Sequence, residues 1–92
     1  MDFEWDPKKA RTNYSKHGVD FAFAIRVFDD LDALSTFDDS DGEERETIVG
    51  RIGTSIFVVV FTVRKGRRRI ITARKATRDE EKTYYEQFEQ EP

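Results

Sequence analysis

The sequence contains no cysteine and a single histidine. The first absence removes disulfide frameworks and thiolate metal sites. The second removes any two-histidine acid–base mechanism and any histidine cluster with metal-ligand spacing. Long apolar runs are missing too. The longest, Ile56 to Phe61, has six residues, against the roughly 20 that a membrane-spanning helix requires. The opening MDFEWDPKKA is acidic from its second residue and has no apolar stretch, so it does not read as a secretion signal. There is no nucleophile elbow for a Ser-His-Asp hydrolase, no phosphate-binding loop and no dinucleotide fingerprint. The expectation is a soluble cytoplasmic protein that uses neither metal nor cofactor.

What is abundant is charge. Charged residues make up 38% of the 92 positions and hydrophobic ones 37%, a balance that borders on disorder. Eight Phe, three Tyr and one Trp, set on clear apolar periodicities, point instead to one packed domain spanning residues 1–92. A chain of this size buries roughly 60% of its unfolded surface. The net charge of −3 conceals a sorting along the chain. Residues 1–20 balance, whereas residues 21–50 set two Arg against nine acids, a net of −7. Residues 51–78 carry nine basic side chains and no acid, and residues 79–92 carry one Lys and six acids. A basic block of that density attracts phosphates. It also suits a solvated hairpin paired with the acidic segments on either side, and charge alone leaves both readings open.

Periodicity supplies the elements. Phe3–Trp5 reads as a short strand, and Asp6-Pro7 as an N-cap followed by Pro at the first helical position. Ala10, Asn13, Tyr14 and His17 share a helix face that Gly18 terminates. Asp20 caps a second helix with Phe21, Ala24, Ile25 and Phe28 on its apolar side. Four strands follow: Leu31–Phe37, Arg45–Ile52, Ile56–Val63 and Arg68–Lys75. They are joined by an acidic turn over Asp38–Gly42, by Gly53-Thr54 and by Lys65-Gly66. Thr77-Arg78-Asp79-Glu80 fits a capping box for a last helix with Tyr84, Tyr85 and Phe88 on its apolar side. The fold class is therefore α+β, an antiparallel sheet with two N-terminal helices and one C-terminal helix.

Taken in order, several of these residues resemble the BrnT toxin family. Trp5-Asp6-Pro7-Lys8-Lys9-Ala10, Asn13, Lys16-His17-Gly18-Val19 and Phe21 match its opening, and Ala24 with Val27-Phe28-Asp29 continues it. Downstream the match resumes at Glu44-Arg45 and Gly50, runs through Arg69-Ile70-Ile71-Thr72-Ala73-Arg74-Lys75-Ala76, and ends on Glu80 and Tyr84. The resemblance implies a RelE-like endoribonuclease that inhibits translation and growth. It also implies a ribbon-helix-helix, BrnA-like antitoxin, a heterotetramer around an antitoxin dimer, and repression of the pair's operon through operator DNA.

RNA carries its own nucleophile, the 2′-hydroxyl. Cleavage then needs a proton acceptor, a proton donor and cations on the phosphoryl oxygens. With the resemblance in view, His17 and its neighbour Lys16 are candidates for proton transfer, imidazole being suited to that work near neutral pH. A lone His at a helix end also serves simply to cap carbonyls. Arg74, at the end of a strand and expected on one face with Ile70 and Thr72, is a candidate phosphate holder, with an ion pair to Glu80 or Glu81 as its plain alternative. Tyr84 is a candidate for base stacking or proton donation, with packing beside Phe88 as the competing reading. Arg45, Arg51, Arg64, Arg67, Arg68 and Arg69 are candidates for RNA contact, and Trp5 is assigned to packing. The alternative function is a non-catalytic nucleic-acid- or protein-binding module that acts as a co-repressor.

Overall fold

The computed structural model describes residues 2–39 and 44–89, so most of the acidic turn falls outside it. Strand β1 (Phe3–Glu4) leads into helix α1 (Pro7–His17), whose first turn is capped by the Asp6 carboxylate accepting from Lys8 N–H. Gly18, at φ 69°, ends α1 in the left-handed region that a side chain would strain. Helix α2 is four residues, Phe21–Ala24, and tightens into a 3₁₀ turn over Ile25–Asp29. Strands β2 (Leu34–Asp38), β3 (Arg45–Ile52), β4 (Ser55–Arg64) and β5 (Arg67–Lys75) form the expected meander, and helix α3 (Arg78–Glu86) follows, running into a 3₁₀ turn over Gln87–Glu89.

The sheet order is β1-β5-β4-β3-β2. The four long strands are antiparallel, as expected, but β1 lies parallel to β5 and makes the sheet mixed. The β4–β5 hairpin closes on Lys65 and Gly66 at φ 51° and 76°, the pair of positive values that lets a two-residue turn follow the strand twist.

Register assigns the two faces. Cross-strand partners share a face, so Gly50, Phe57, Ile48, Val59 and Ala73 look one way, and Val49, Val58 and Arg74 look the other. The first face receives α2 and the 3₁₀ turn. There Phe21, Ala24 and Val27 pack fully buried against Ile48, Val59 and Phe61. Gly50 admits this approach, because a Cβ there would stand 3.1 Å from both the Cβ and the carbonyl of Val27. Trp5 meets Phe21 edge-on at 5.9 Å, in keeping with a packing role. The second face takes α3 over Val49 and Leu34 at one end.

A register shift between Val60 and Phe61 leaves Ile71 as an extra residue in β5. It corrects one expectation: Ile70 turns to the core with Ala73, whereas Thr72 and Arg74 share the opposite face.

Candidate functional site

Asn13 fixes where α1 lies. Its buried side-chain amide donates to the carbonyls of Val19 (3.1 Å) and Ala73 (2.8 Å), and its oxygen accepts from Ala73 N–H at 3.1 Å. It therefore completes the edge of β5 beyond the two residues that β1 covers, and it ties the strand to the α1–α2 turn. With α1 held there, Lys8, Thr12 and Lys16, spaced i, i+4, i+8, fall on one helix face. Together with Lys9, Asn13 and His17 they line a groove of about 340 Å³ whose other wall is Ile71 and Thr72 of β5. His17 also borders a second depression, shared with Gly18, Phe23, Phe57 and Lys75.

Arg74 follows Thr72 on the same strand face. Its guanidinium makes a two-pronged pair with Glu80: Nη1 to Oε1 at 2.7 Å and Nη2 to Oε2 at 2.9 Å. Glu80 Oε1 simultaneously accepts from Thr77 N–H at 2.8 Å, and Thr77 Oγ1 accepts from Glu80 N–H, so the expected capping box is present. The Arg74 fork is the main reason the Glu80 carboxyl is held down to about 2, outweighing partial burial, with the Thr77 amide adding to it. The same contact raises Arg74 above its ordinary value.

The family described as "Ribonuclease toxin, BrnT, of type II toxin-antitoxin system" matches residues 5–80. The chain belongs to the BrnT family. No curated protein matches it.

Within this BrnT chain the other candidates separate into distinct places. Tyr84 is 2% exposed and donates through its hydroxyl to Asp30 Oδ2 at 2.6 Å. Desolvation and the Asp30 carboxylate push its ionisation well up. Burial works to raise Asp30. The Tyr84 hydroxyl and the backbone N–H groups of Arg51 and Asp32 prevail and hold it below its usual value. Tyr84 thus faces Asp30 and lines neither depression that His17 borders.

Arg51 borders a shallow depression with Asp29, Asp30 and Asp32, at the far end of the sheet from the basic hairpin. Arg45 stands opposite Asp38 in the β2–β3 register. Arg68 is held over three rings, 4.3 Å from Phe28, 5.8 Å from Phe3 and 5.9 Å from Phe61. Arg69 pairs with Glu4 at 2.9 Å, and Arg67 reaches Asp2 at 4.0 Å. Arg64 is exposed beside the hairpin turn.

Sequence reasoning missed Lys8, Lys9, Thr12 and Thr72 as groove-lining residues. The i, i+4, i+8 spacing that sets Lys8 and Thr12 in line with Lys16 on α1 was the signal for two of them. The pairing of Asn13 with Ala73, 60 positions away, had no local signature.

Proposed function

We propose that this BrnT-family chain is a metal-independent endoribonuclease whose substrate backbone runs along the groove between α1 and β5 and on to Arg74. In this reading the Lys8, Lys9 and Lys16 ammonium groups draw the phosphates in. His17 exchanges a proton at the 2′-oxygen or the leaving 5′-oxygen, and Arg74 stabilises the charge that builds on the phosphoryl oxygens. Glu80 holds the planar fork of Arg74 until a phosphate, the other acceptor that fits a guanidinium in two prongs, competes for it. The observation that carries the reading is the groove itself, three lysines and the one histidine of the chain facing a strand that continues into Arg74. Burial of Tyr84 supports a packing role for it. The cytoplasmic location, the ribbon-helix-helix antitoxin, its heterotetramer and the operator DNA belong to the same proposal, and membership of a type II toxin family supports them.

The alternative, a non-catalytic co-repressor, draws support from the Arg74–Glu80 pair, which also suits a purely structural lock. Single-turnover cleavage of a labelled RNA separates the two. Arg74→Ala is expected to slow cleavage about 10²–10³-fold in folded protein, as loss of one charge-stabilising donor does. Arg74→Lys should rescue poorly, because the ammonium lacks the fork. His17→Ala should slow cleavage as well. Unchanged rates in folded Arg74→Ala would remove Arg74 from the site, and salt-sensitive RNA binding with no cleavage product would favour the co-repressor.

A further inference from the structure

The two acidic segments of the chain, far apart in sequence, meet in space. Gln87 donates to the carbonyl of Asp32 at 3.0 Å, and Tyr84 reaches Asp30. Between α3 and the β2–β3 edge lies a furrow of about 260 Å³ with Leu34 and Val49 as apolar floor, Thr36 and Thr83 as walls, and Asp79 and Glu80 on its rim. Leu31, 99% exposed, stands next to Asp32 at the Gln87 end.

The chemistry of this furrow narrows its occupant. Glu80 is neutralised by Arg74, so the negative character of this surface comes from Asp79 on the rim and Asp32 at the Gln87 end, and it disfavours RNA, DNA and anionic headgroups. An apolar floor beside acidic side chains favours a segment carrying both aliphatic and cationic side chains. We propose that this furrow seats a basic amphipathic segment of the antitoxin, a partner the type II family requires, at a surface distinct from the α1–β5 groove. The inference rests on the toxin reading given above for its partner, and on the sorted charge for its location. The furrow shares Glu80 with the Arg74 fork, so the occupant sits against the carboxylate that holds the proposed phosphate-binding guanidinium.

The test is isothermal titration of the full chain with the antitoxin encoded beside it. Thr36 and Thr83 are exposed, so the double variant Thr36→Lys/Thr83→Lys should stay folded, as circular dichroism will verify. It is expected to weaken antitoxin binding at least tenfold while RNA cleavage stays within twofold. The same added charge placed remotely, Ser15→Lys/Thr54→Lys, is expected to leave the antitoxin Kd within twofold. Leu34→Ala, which removes part of the floor without altering charge, should weaken binding several-fold. An unchanged antitoxin Kd in folded Thr36→Lys/Thr83→Lys would overturn the docking surface, as would equal weakening by the remote pair. Absence of cleavage in all proteins would instead count against the ribonuclease mechanism and leave the docking result readable.

Discussion

Replacing Glu80 by Gln separates the two jobs this carboxylate performs. Its ordinary value of 4.5 is depressed to about 2, which at face value corresponds to about 3 kcal/mol of native-state stabilisation. The paired side chains are 36% and 31% exposed, so solvent screening reduces that to about 1–2 kcal/mol. Gln keeps the length and an oxygen for the Thr77 amide but loses the charge, so most of that amount should disappear. A domain of this size loses about 4–8 °C of Tm per kcal/mol, which puts the expected drop near 5–10 °C at pH 7. The sign follows from linkage. A carboxyl depressed in the folded state stabilises fully above its unfolded value and progressively less as pH falls toward the folded one. The Tm gap between the two proteins should therefore be constant above about pH 5 and close between 4.5 and about 2. Thermal melts followed by circular dichroism across that range measure it. A gap as wide at pH 2.5 as at pH 7 would refute the electrostatic account and leave only lost packing.

Three further outcomes are expected. Tyr84→Phe removes a hydrogen bond to a carboxylate and should cost about 1.5–3 kcal/mol in urea denaturation, with single-turnover cleavage within twofold of the parent; a large rate loss would return Tyr84 to the chemistry. Asn13→Ala strands Val19 and Ala73 backbone groups and should cost about 3 kcal/mol or more, visible as early hydrogen exchange at Ala73. Measured against salt, RNA affinity should show a shallower slope in Lys8→Ala/Lys16→Ala, which removes two of the groove's ammonium groups. Arg68→Ala should instead lower Tm, since its guanidinium is spent on three rings, and an unchanged Tm there would argue against that cage.

Features encoded within a few residues were legible in advance. The Asp6-Pro7 start, the Gly18 stop, the Thr77–Glu80 capping box and the tight turns each depend on neighbours in sequence. What escaped depends on partners far along the chain. The parallel seat of β1 is two residues long and is defined by Arg68 and Arg69. The Ile71 irregularity, which turns Ile70 away from Arg74, has no glycine or proline to announce it. The second helix was expected to run to Phe28 and instead tightens after Ala24, where Val27 must meet Gly50. The candidate site was half legible. His17 and Lys16 were named, and Glu80 was weighed as a partner of Arg74, but the wall formed by Ile71 and Thr72 follows from how Asn13 seats α1 on β5.

The basic block is where sequence and structure differ most in meaning. Nine cations between residues 51 and 78 read as one phosphate-attracting patch, yet the fold commits several of them elsewhere. Arg68 lies over aromatic rings, Arg69 on Glu4, Arg74 on Glu80, and Arg51 among aspartates. The groove gains its positive character from Lys8, Lys9 and Lys16, which belong to a segment of zero net charge. Helical spacing concentrates those lysines on one side of α1 and leaves the acids of that segment elsewhere. A charge count along the chain points to the β4–β5 hairpin, whereas a count by surface points to the groove between α1 and β5, the phosphate path proposed above. By the same logic Asp30, Asp32, Asp79 and Glu80, drawn from both acidic runs, lie beside α3 and the β2–β3 edge. The two proposed partners, one polyanionic and one cationic and apolar, then address different sides of a molecule whose overall charge is close to neutral.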